Sequence, residues 1–239
     1  FGNCTGLDTV IIPPSVKYIE VQAFYNCTGL TTVYSQSTTP AVLESSFVMK
    51  VFENVDFSGC VLYVPFGSSG IYAVTDQWKD FLSIVEMPEL KLSEHKLSIP
   101  AAGDTTKIAV STNLSWNINS DKSWLKLSPE SGIGSDTITF LAEANPSYIT
   151  RYATATISAA GVLSQTVLVV QAGTTSPLNV TAGTLSSILS EEEKNQIRKL
   201  VLTGTVDARD FKTMRDDMPL LEEIDLTNVT IAEYAGSEG

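Results

Sequence analysis

The segment FGNCTGLDTV at residues 1–10 returns as FYNCTGLTTV at residues 24–33, with eight of ten residues identical at a shift of 23. Self-similarity at such a period marks a chain built from stacked units, because one unit of this length cannot bury its own apolar edge. Phe1, Asn3, Cys4, Leu7 and Val10 map onto Phe24, Asn26, Cys27, Leu30 and Val33. Between the copies Ile11-Ile12-Pro13-Pro14 ends a strand, since proline has no donor for a ladder. Val16, Ile19 and Phe24 supply the next apolar contacts. After Val33 the pattern loosens, keeps an echo in Phe57-Ser58-Gly59-Cys60, and runs through Tyr72, Trp78, Phe81 and Ile84 into what is expected to be a closing cap.

The shift falls in the range of about 20–29 residues used by leucine-rich repeats. The segments Phe24-Tyr25-Asn26-Cys27-Thr28-Gly29-Leu30 and Ile12-Pro13-Pro14-Ser15-Val16 resemble the BspA-like leucine-rich repeats of bacterial surface antigens, with their F-x-N-C-x-x-L and I-P-x-S-V pieces. The resemblance implies a solenoid over residues 1–87, the C-terminal end of a repeat array with its cap. Cys4 and Cys27 stand one coil apart, close enough for a disulfide in principle. Buried free thiols are the expectation, because cysteine fills core positions and side chains stacked in parallel suit the S–S torsion poorly. Cys60 is expected in the same core slot, and Asn3 and Asn26, in the ladder segment, are expected to be buried.

From residue 88 to 174 the pattern changes to short alternating segments separated by turn residues, the signature of an antiparallel sandwich. Strands are expected at residues 107–111, 115–119, 137–140, 153–157 and 166–170. Turns are expected at Ala102-Gly103-Asp104, Asn119-Ser120-Asp121 and Ser131-Gly132-Ile133-Gly134. Thr112-Asn113 before Ser115-Trp116, then Trp124-Leu125, Ser128-Pro129, Ser131-Gly132, Ala144-Asn145, Arg151 and a closing Gln171 resemble the BACON domain, the Bacteroidetes-associated carbohydrate-binding often N-terminal module. The resemblance implies an immunoglobulin-like sandwich and glycan binding. A sugar site needs exposed aromatic faces with polar groups beside them. Trp116 is in phase with Leu114 and Ile118 and so belongs to the core, and Trp124, close to Leu125 and Leu127, is expected to be at least half-buried. Tyr148 and Tyr152, flanking Arg151 at a loop-to-strand junction, are therefore the candidate ligand-binding residues, with ordinary surface packing as the alternative.

Residues 175–239 return to a repeat. Leu200-Val201-Leu202 and Ile224-Asp225-Leu226 stand 24 apart, and Leu221, Ile224, Leu226 and Ile231 fit a leucine-rich template with Val229 in place of its asparagine. This segment resembles the N-terminal cap and first repeat of a second array. Ser190 followed by Glu191, Glu192 and Glu193, with Lys194, Arg198 and Lys199 behind, reads as a capping box on a helix with basic residues towards its end. Asp207 to Met218 places Phe211, Met214 and Met218 on one helical face, expected in the core.

Net charge is −12, divided as −5, −1 and −6 over residues 1–87, 88–176 and 177–239. Such a field repels phosphate backbones, so a nucleic-acid partner is not expected. One histidine and three cysteines leave little from which to build a His/Cys metal cage or a histidine-assisted triad. The pairs Asp216-Asp217 and Glu222-Glu223 read as solvated surface carboxylates. No apolar run approaches the roughly 18 residues of a membrane span, so membrane insertion is not expected either. Without an initial Met, a basic n-region or an apolar h-region, the sequence reads as a piece of a longer protein that carries no signal peptide itself. Catalytic residues, metal sites and cofactors are not expected. The expected architecture is mainly β and multidomain, leucine-rich solenoid segments flanking an immunoglobulin-like antiparallel β-sandwich. The expected role is non-catalytic adhesion or binding at a bacterial cell surface, extracellular, with a host or microbial surface protein or glycan as partner and the sandwich as spacer. A glycan-binding module with its sugar site on the sandwich is the alternative.

Overall fold

A computed structural model of the chain describes residues 1–46 and 49–236. The protein is mainly β, with several separate sheets. Near the N-terminus four strands, Thr9–Ile12, Thr32–Ser35, Val61–Val64 and Ser83–Glu86, lie side by side in chain order and all run parallel. The register is the sequence repeat itself, since Thr9 pairs with Thr32 and Val10 with Val33. In a parallel pair each strand takes its hydrogen bonds from its neighbour, so identical segments end up at identical heights. Tyr18–Ile19 and Val42–Leu43 form a second, two-stranded parallel sheet.

The phenylalanines of successive repeats stack: Phe1 on Phe24 at 5.7 Å and Phe24 on Phe52 at 5.1 Å. This corrects the expected echo at Phe57, because the third F-x-N segment is Phe52-Glu53-Asn54. Asn3, Asn26 and Asn54 share a positive φ of 66°, 57° and 63°, a conformation that asparagine tolerates better than most residues. The Asn3 N–H donates to the Tyr25 carbonyl at 2.7 Å and the Asn26 N–H to the Glu53 carbonyl at 2.8 Å. Val55 thus follows Asn54 as Cys27 follows Asn26, and Cys60 sits immediately before the third strand instead. The asparagines serve the turn rather than the core: Asn3 is exposed and Asn26 half-buried, linked by a 3.1 Å bond from Asn26 Nδ2 to Asn3 Oδ1. The expectation that they are buried is therefore wrong.

All three cysteines are free thiols. Cys27 and Cys60 are buried, whereas Cys4 is exposed, contrary to expectation. Cys27 is covered by the preceding repeat, with its Sγ donating to the Phe1 carbonyl at 3.3 Å, and Cys4 has no such cover. Burial first, then the negative charge of Asp56, pushes the Cys60 thiol up to about 11. At the far end of the stack Tyr72, Trp78 and Phe81 are buried. Trp78 Nε1 donates to the Ala41 carbonyl at 2.8 Å and the Tyr72 hydroxyl to the Ser37 carbonyl at 2.8 Å. The buried Gln77 amide donates to the Leu43 carbonyl at 3.0 Å and accepts from the Val51 N–H at 2.9 Å. Side chains here partner main-chain groups that buried backbone cannot leave unpaired.

Two further sheets enclose one apolar core over residues 90–171. One has the order Ser131–Ile133, Ser115–Ser120, Arg151–Ala159, Gln165–Gln171, Lys96–Ile99, and the other Leu125–Ser128, Asp136–Ala142, Asp104–Thr112, Leu90–Leu92. All pairings are antiparallel except that of Lys96–Ile99 with Gln165–Gln171. Alternation buries Ile108 and Val110 from one sheet against Ile157, Val167 and Val169 from the other. Trp116 is a core residue, its Nε1 donating to the Gly134 carbonyl at 2.9 Å. Ser131–Ile133 is an edge strand paired with Ser115–Asn117, not a turn. Its glycine serves the tryptophan, since a Cβ on Gly132 would fall 2.5 Å from the Trp116 ring.

The remaining strands, Leu178–Val180, Lys199–Val206 and Glu223–Ile231, form a parallel sheet in which Leu200 lies opposite Ile224, the expected offset of 24. The helix Glu191–Gln196 has the Ser190 capping box read from the sequence. It ends before Arg198 and Lys199, which instead form ion pairs with Glu222 and Glu223. In the helix Ala208–Asp217 the inward residues are Asp210, Thr213 and Met214, with Met218 buried just beyond it. Phe211 is 37% exposed, correcting its assignment to the core. Asp210 fixes this rotation: fully buried, it accepts from the N–H groups of Gly183 (2.7 Å), Leu185 (2.9 Å) and Asp207 (2.9 Å).

Stacking makes the two repeat glycines unequal. A Cβ on Gly29 would lie 2.3 Å from the Thr5 carbonyl oxygen, while one on Gly6 would meet nothing within 4 Å. Gly29→Ala is expected to destabilise the first unit by about 1–3 kcal/mol through this overlap, and Gly6→Ala by less than about 0.5 kcal/mol. Thermal unfolding of the two variants checks the contrast, and equal effects would contradict the stacking.

Candidate functional site

The candidate residues lie where the loop 143–150 enters the strand Arg151–Ala159. That loop is shaped by two buried amides. Asn145 Nδ2 donates to the Ile149 and Ala172 carbonyls at 2.9 Å each, and its Oδ1 accepts from the Ser147 N–H at 3.2 Å. Gln171 Nε2 donates to the Glu143 carbonyl at 2.9 Å and to the Pro100 carbonyl at 3.1 Å.

Arg151 completes this network. Its Nε donates to Gln171 Oε1 at 2.8 Å, and its Nη2 to the carbonyls of Glu143 (2.8 Å) and Ala144 (3.2 Å). The guanidinium lies 4.2 Å from the centre of the Trp124 ring, covering part of one face. Trp124 is half-buried, as its sequence neighbours imply. Burial lowers the Arg151 pKa from its ordinary value, against the opposing charge of Glu143; the group stays a cation under any ordinary condition.

The two tyrosines part company. Tyr152 is 57% exposed and stands with Trp124, Arg151, Lys122, Asn145 and Glu192 around an open concavity of about 520 Å³. Tyr148 lies instead in a cleft of about 340 Å³ with Thr174, Thr175, Gln196, Arg198 and Lys199. Its ring packs against the core of the last unit, and its hydroxyl donates to the Ser176 carbonyl at 3.1 Å. Burial, and then the charge of Glu193, raises the Tyr148 pKa. The structure therefore brings Arg151 and Tyr152 together and leaves Tyr148 apart from them. Glu193, which sequence reasoning assigned to a helix cap alone, also reaches this loop: its Oε1 accepts from Ser147 Oγ at 2.6 Å and from the Tyr148 N–H at 3.3 Å. No local sequence signal marks that contact, because its partners are 45 and 46 residues apart in the chain.

Among the described residues there is no group of three or more His, Cys, Asp or Glu side chains placed to hold a metal ion, and no helix long and apolar enough to cross a membrane. Of the carboxylates expected on the surface, Asp216 pairs with Arg215 at 2.6 Å and Glu223 with Lys199 at 2.6 Å.

The polar network predicts how this face responds to substitution. Arg151→Ala removes the donor of buried Gln171 Oε1 and of two carbonyls, an expected loss of about 2–4 kcal/mol. Arg151→Lys is expected to recover little, because one ammonium cannot replace a planar fork stacked on an indole. Tyr152→Ala is expected to stay within about 0.5 kcal/mol of the parent. Denaturant midpoints test the order, and an Arg151→Ala variant as stable as the parent would refute the structural role.

Residues 89–174 match the family model described as viral BACON domain. Residues 1–67 match that described as BspA type leucine rich repeat region (6 copies). No curated protein matches the chain. Among solved structures, a Bacteroides ovatus GH5 xyloglucanase in complex with a XXXG heptasaccharide is similar at 28% identity, over 38% of this chain and 20% of that one, with a TM-score of 0.35. A Bacteroides thetaiotaomicron protein solved by NMR is similar at 17% identity, over 36% of this chain and 89% of that one, with a TM-score of 0.30. The E. coli chaperone DraB is similar at 9% identity over 36% and 55% of the two chains, with a TM-score of 0.30.

Proposed function

From a chain that joins a BspA-type leucine-rich repeat region to a BACON domain, we propose a non-catalytic binding segment of a bacterial cell-surface protein. In this reading residues 1–87 end one leucine-rich solenoid, residues 175–239 begin another, and residues 88–174 are an immunoglobulin-like spacer between them. The observation that carries it is the outward face of the first parallel sheet. Ile11, Tyr34 and Tyr63 stand side by side in the strand register, Val85 follows on the next strand, and the two tyrosine rings stack at 4.9 Å. Ile11 and Val85 are exposed and the tyrosines half-exposed.

Each tyrosine covers one ring face with its neighbour, which favours a protein partner over a sugar. What remains available is edge, hydroxyl and aliphatic surface, the mixture enriched at protein interfaces. The charge of −5 over residues 1–87 favours a basic partner surface and faster encounter with it. At Arg151, by contrast, Nε and Nη2 are already engaged within the sandwich.

A second reading, glycan binding on the sandwich, rests on Tyr152 alone, exposed above its concavity. Arrays of immobilised extracellular proteins and of glycans, probed with the whole chain, separate the two. Binding to a protein spot is expected to fall at least tenfold in a folded Tyr34→Ser, Tyr63→Ser variant and to persist in Tyr152→Ala. A glycan signal lost in Tyr152→Ala and intact in the double variant would overturn the first reading in favour of the second.

A further inference from the structure

We propose that the sandwich loop 145–150 caps the apolar core of the last unit, so that residues 175–236 complete their fold only against the sandwich. The inference is independent of what the chain binds. Tyr148 and Ile149 belong to the sandwich by chain position and to the last unit by packing, lying against the core of Val180, Leu185, Ile197 and Leu200. A parallel stack with an open end exposes apolar side chains, and repeat arrays need terminal caps for that reason. The first unit meets the requirement with its own Tyr72, Trp78 and Phe81; the last unit borrows side chains from its neighbour.

The loop is built to hold them. From behind, Asn145 anchors it to the Ile149 and Ala172 carbonyls, and the Thr174 N–H donates to the Ser147 carbonyl at 2.8 Å. The two backbones touch, since a Cβ on Gly173 would fall 2.4 Å from the Tyr148 carbonyl. From the front, one carboxylate closes both the helix and the junction. Glu193 Oε2 accepts from the Ser190 N–H at 3.0 Å and from Ser190 Oγ at 2.9 Å, while Oε1 accepts from Ser147 Oγ and the Tyr148 N–H. Burial pushes the Glu193 carboxyl up, yet the donors from Ser147, Ser190 and Tyr148 together hold it below the usual range. Tyr148 also ties down the connecting segment through the Ser176 carbonyl. With both sides of the loop engaged, the sandwich and the last unit move as one body, which fixes the direction in which the second array leaves the sandwich.

Hydrogen exchange on the whole chain tests this. A Tyr148→Ala, Ile149→Ala variant is expected to speed exchange at least tenfold across residues 185–206, while the strands Asp104–Thr112 and Asp136–Ala142 keep their protection. Ser147→Ala, which loosens the latch and leaves the capping box intact, is expected to speed exchange several-fold over the same residues. Ser190→Ala removes the hydroxyl of the capping box and is expected to act on residues 191–197 alone. Unchanged exchange over residues 185–206 in the double variant overturns the proposal. Should the double variant unfold both units, Ser147→Ala decides: faster exchange confined to the last unit supports the cap, and unchanged exchange overturns it.

Discussion

A strand in a parallel stack takes its hydrogen bonds and its apolar cover from the copy beside it, and the first and last units of this chain answer to that dependence. The 23-residue repeat holds because Phe24 can stack on Phe1 and Thr32 pair with Thr9 only if the copies share one height. The cost falls on the ends of the stack, where no copy follows. Gln77, Trp78 and Tyr72 meet it in the first unit by turning side-chain donors onto main-chain carbonyls. In the last unit Tyr148 and Ile149, with Glu193 bridging to their loop, occupy the equivalent role.

The middle unit obeys different rules. Its strands, antiparallel in every pairing but one, find their partners within residues 90–171, and one polar network of Arg151, Gln171 and Asn145 ties the loop 143–150 to the strand Gln165–Gln171. Its other end is tied as well: Asn113 Nδ2 donates to the Met87 carbonyl at 3.1 Å and its Oδ1 accepts from the Glu89 N–H at 3.2 Å. Tyr148 likewise joins the unit that follows it, while Tyr152 stays exposed. We read the sandwich as a joint for this reason, and the repeat sheet with Tyr34 and Tyr63 as the surface that meets a partner.

Where one residue type recurs at fixed spacing, the sequence was legible. The register of the first two strands, the offset between Leu200 and Ile224, the burial of Trp116 and the Ser190 capping box all follow from patterns within about 25 residues. Legibility failed where the pattern degraded or the partner was distant. Phe52-Glu53-Asn54 carries a weaker signal than Phe57 because valine replaces the cysteine and the spacing from Phe24 lengthens to 28. Ser131–Ile133 looked like a turn because its glycine answers to Trp116 across the sheet. Phe211 looked like core because helical phase cannot reveal that buried Asp210 sets the rotation. The candidate site fared similarly: Tyr152 is as exposed as its position implies, whereas the contacts of Tyr148 with Ser176 and Glu193 have no local signature.

The central claim is that neighbouring copies, not individual segments, are the units of stability, and that the sandwich is a separate one. Hydrogen exchange of a Phe24→Ala variant tests it most directly, since that ring touches the copies on both sides and its loss is expected to cost about 3–5 kcal/mol. The account predicts that protection falls together in Thr9–Ile12, Thr32–Ser35 and Val61–Val64, with Asp136–Ala142 and Arg151–Ala159 unchanged. Loss confined to Thr32–Ser35, or spread equally into the sandwich strands, would contradict it.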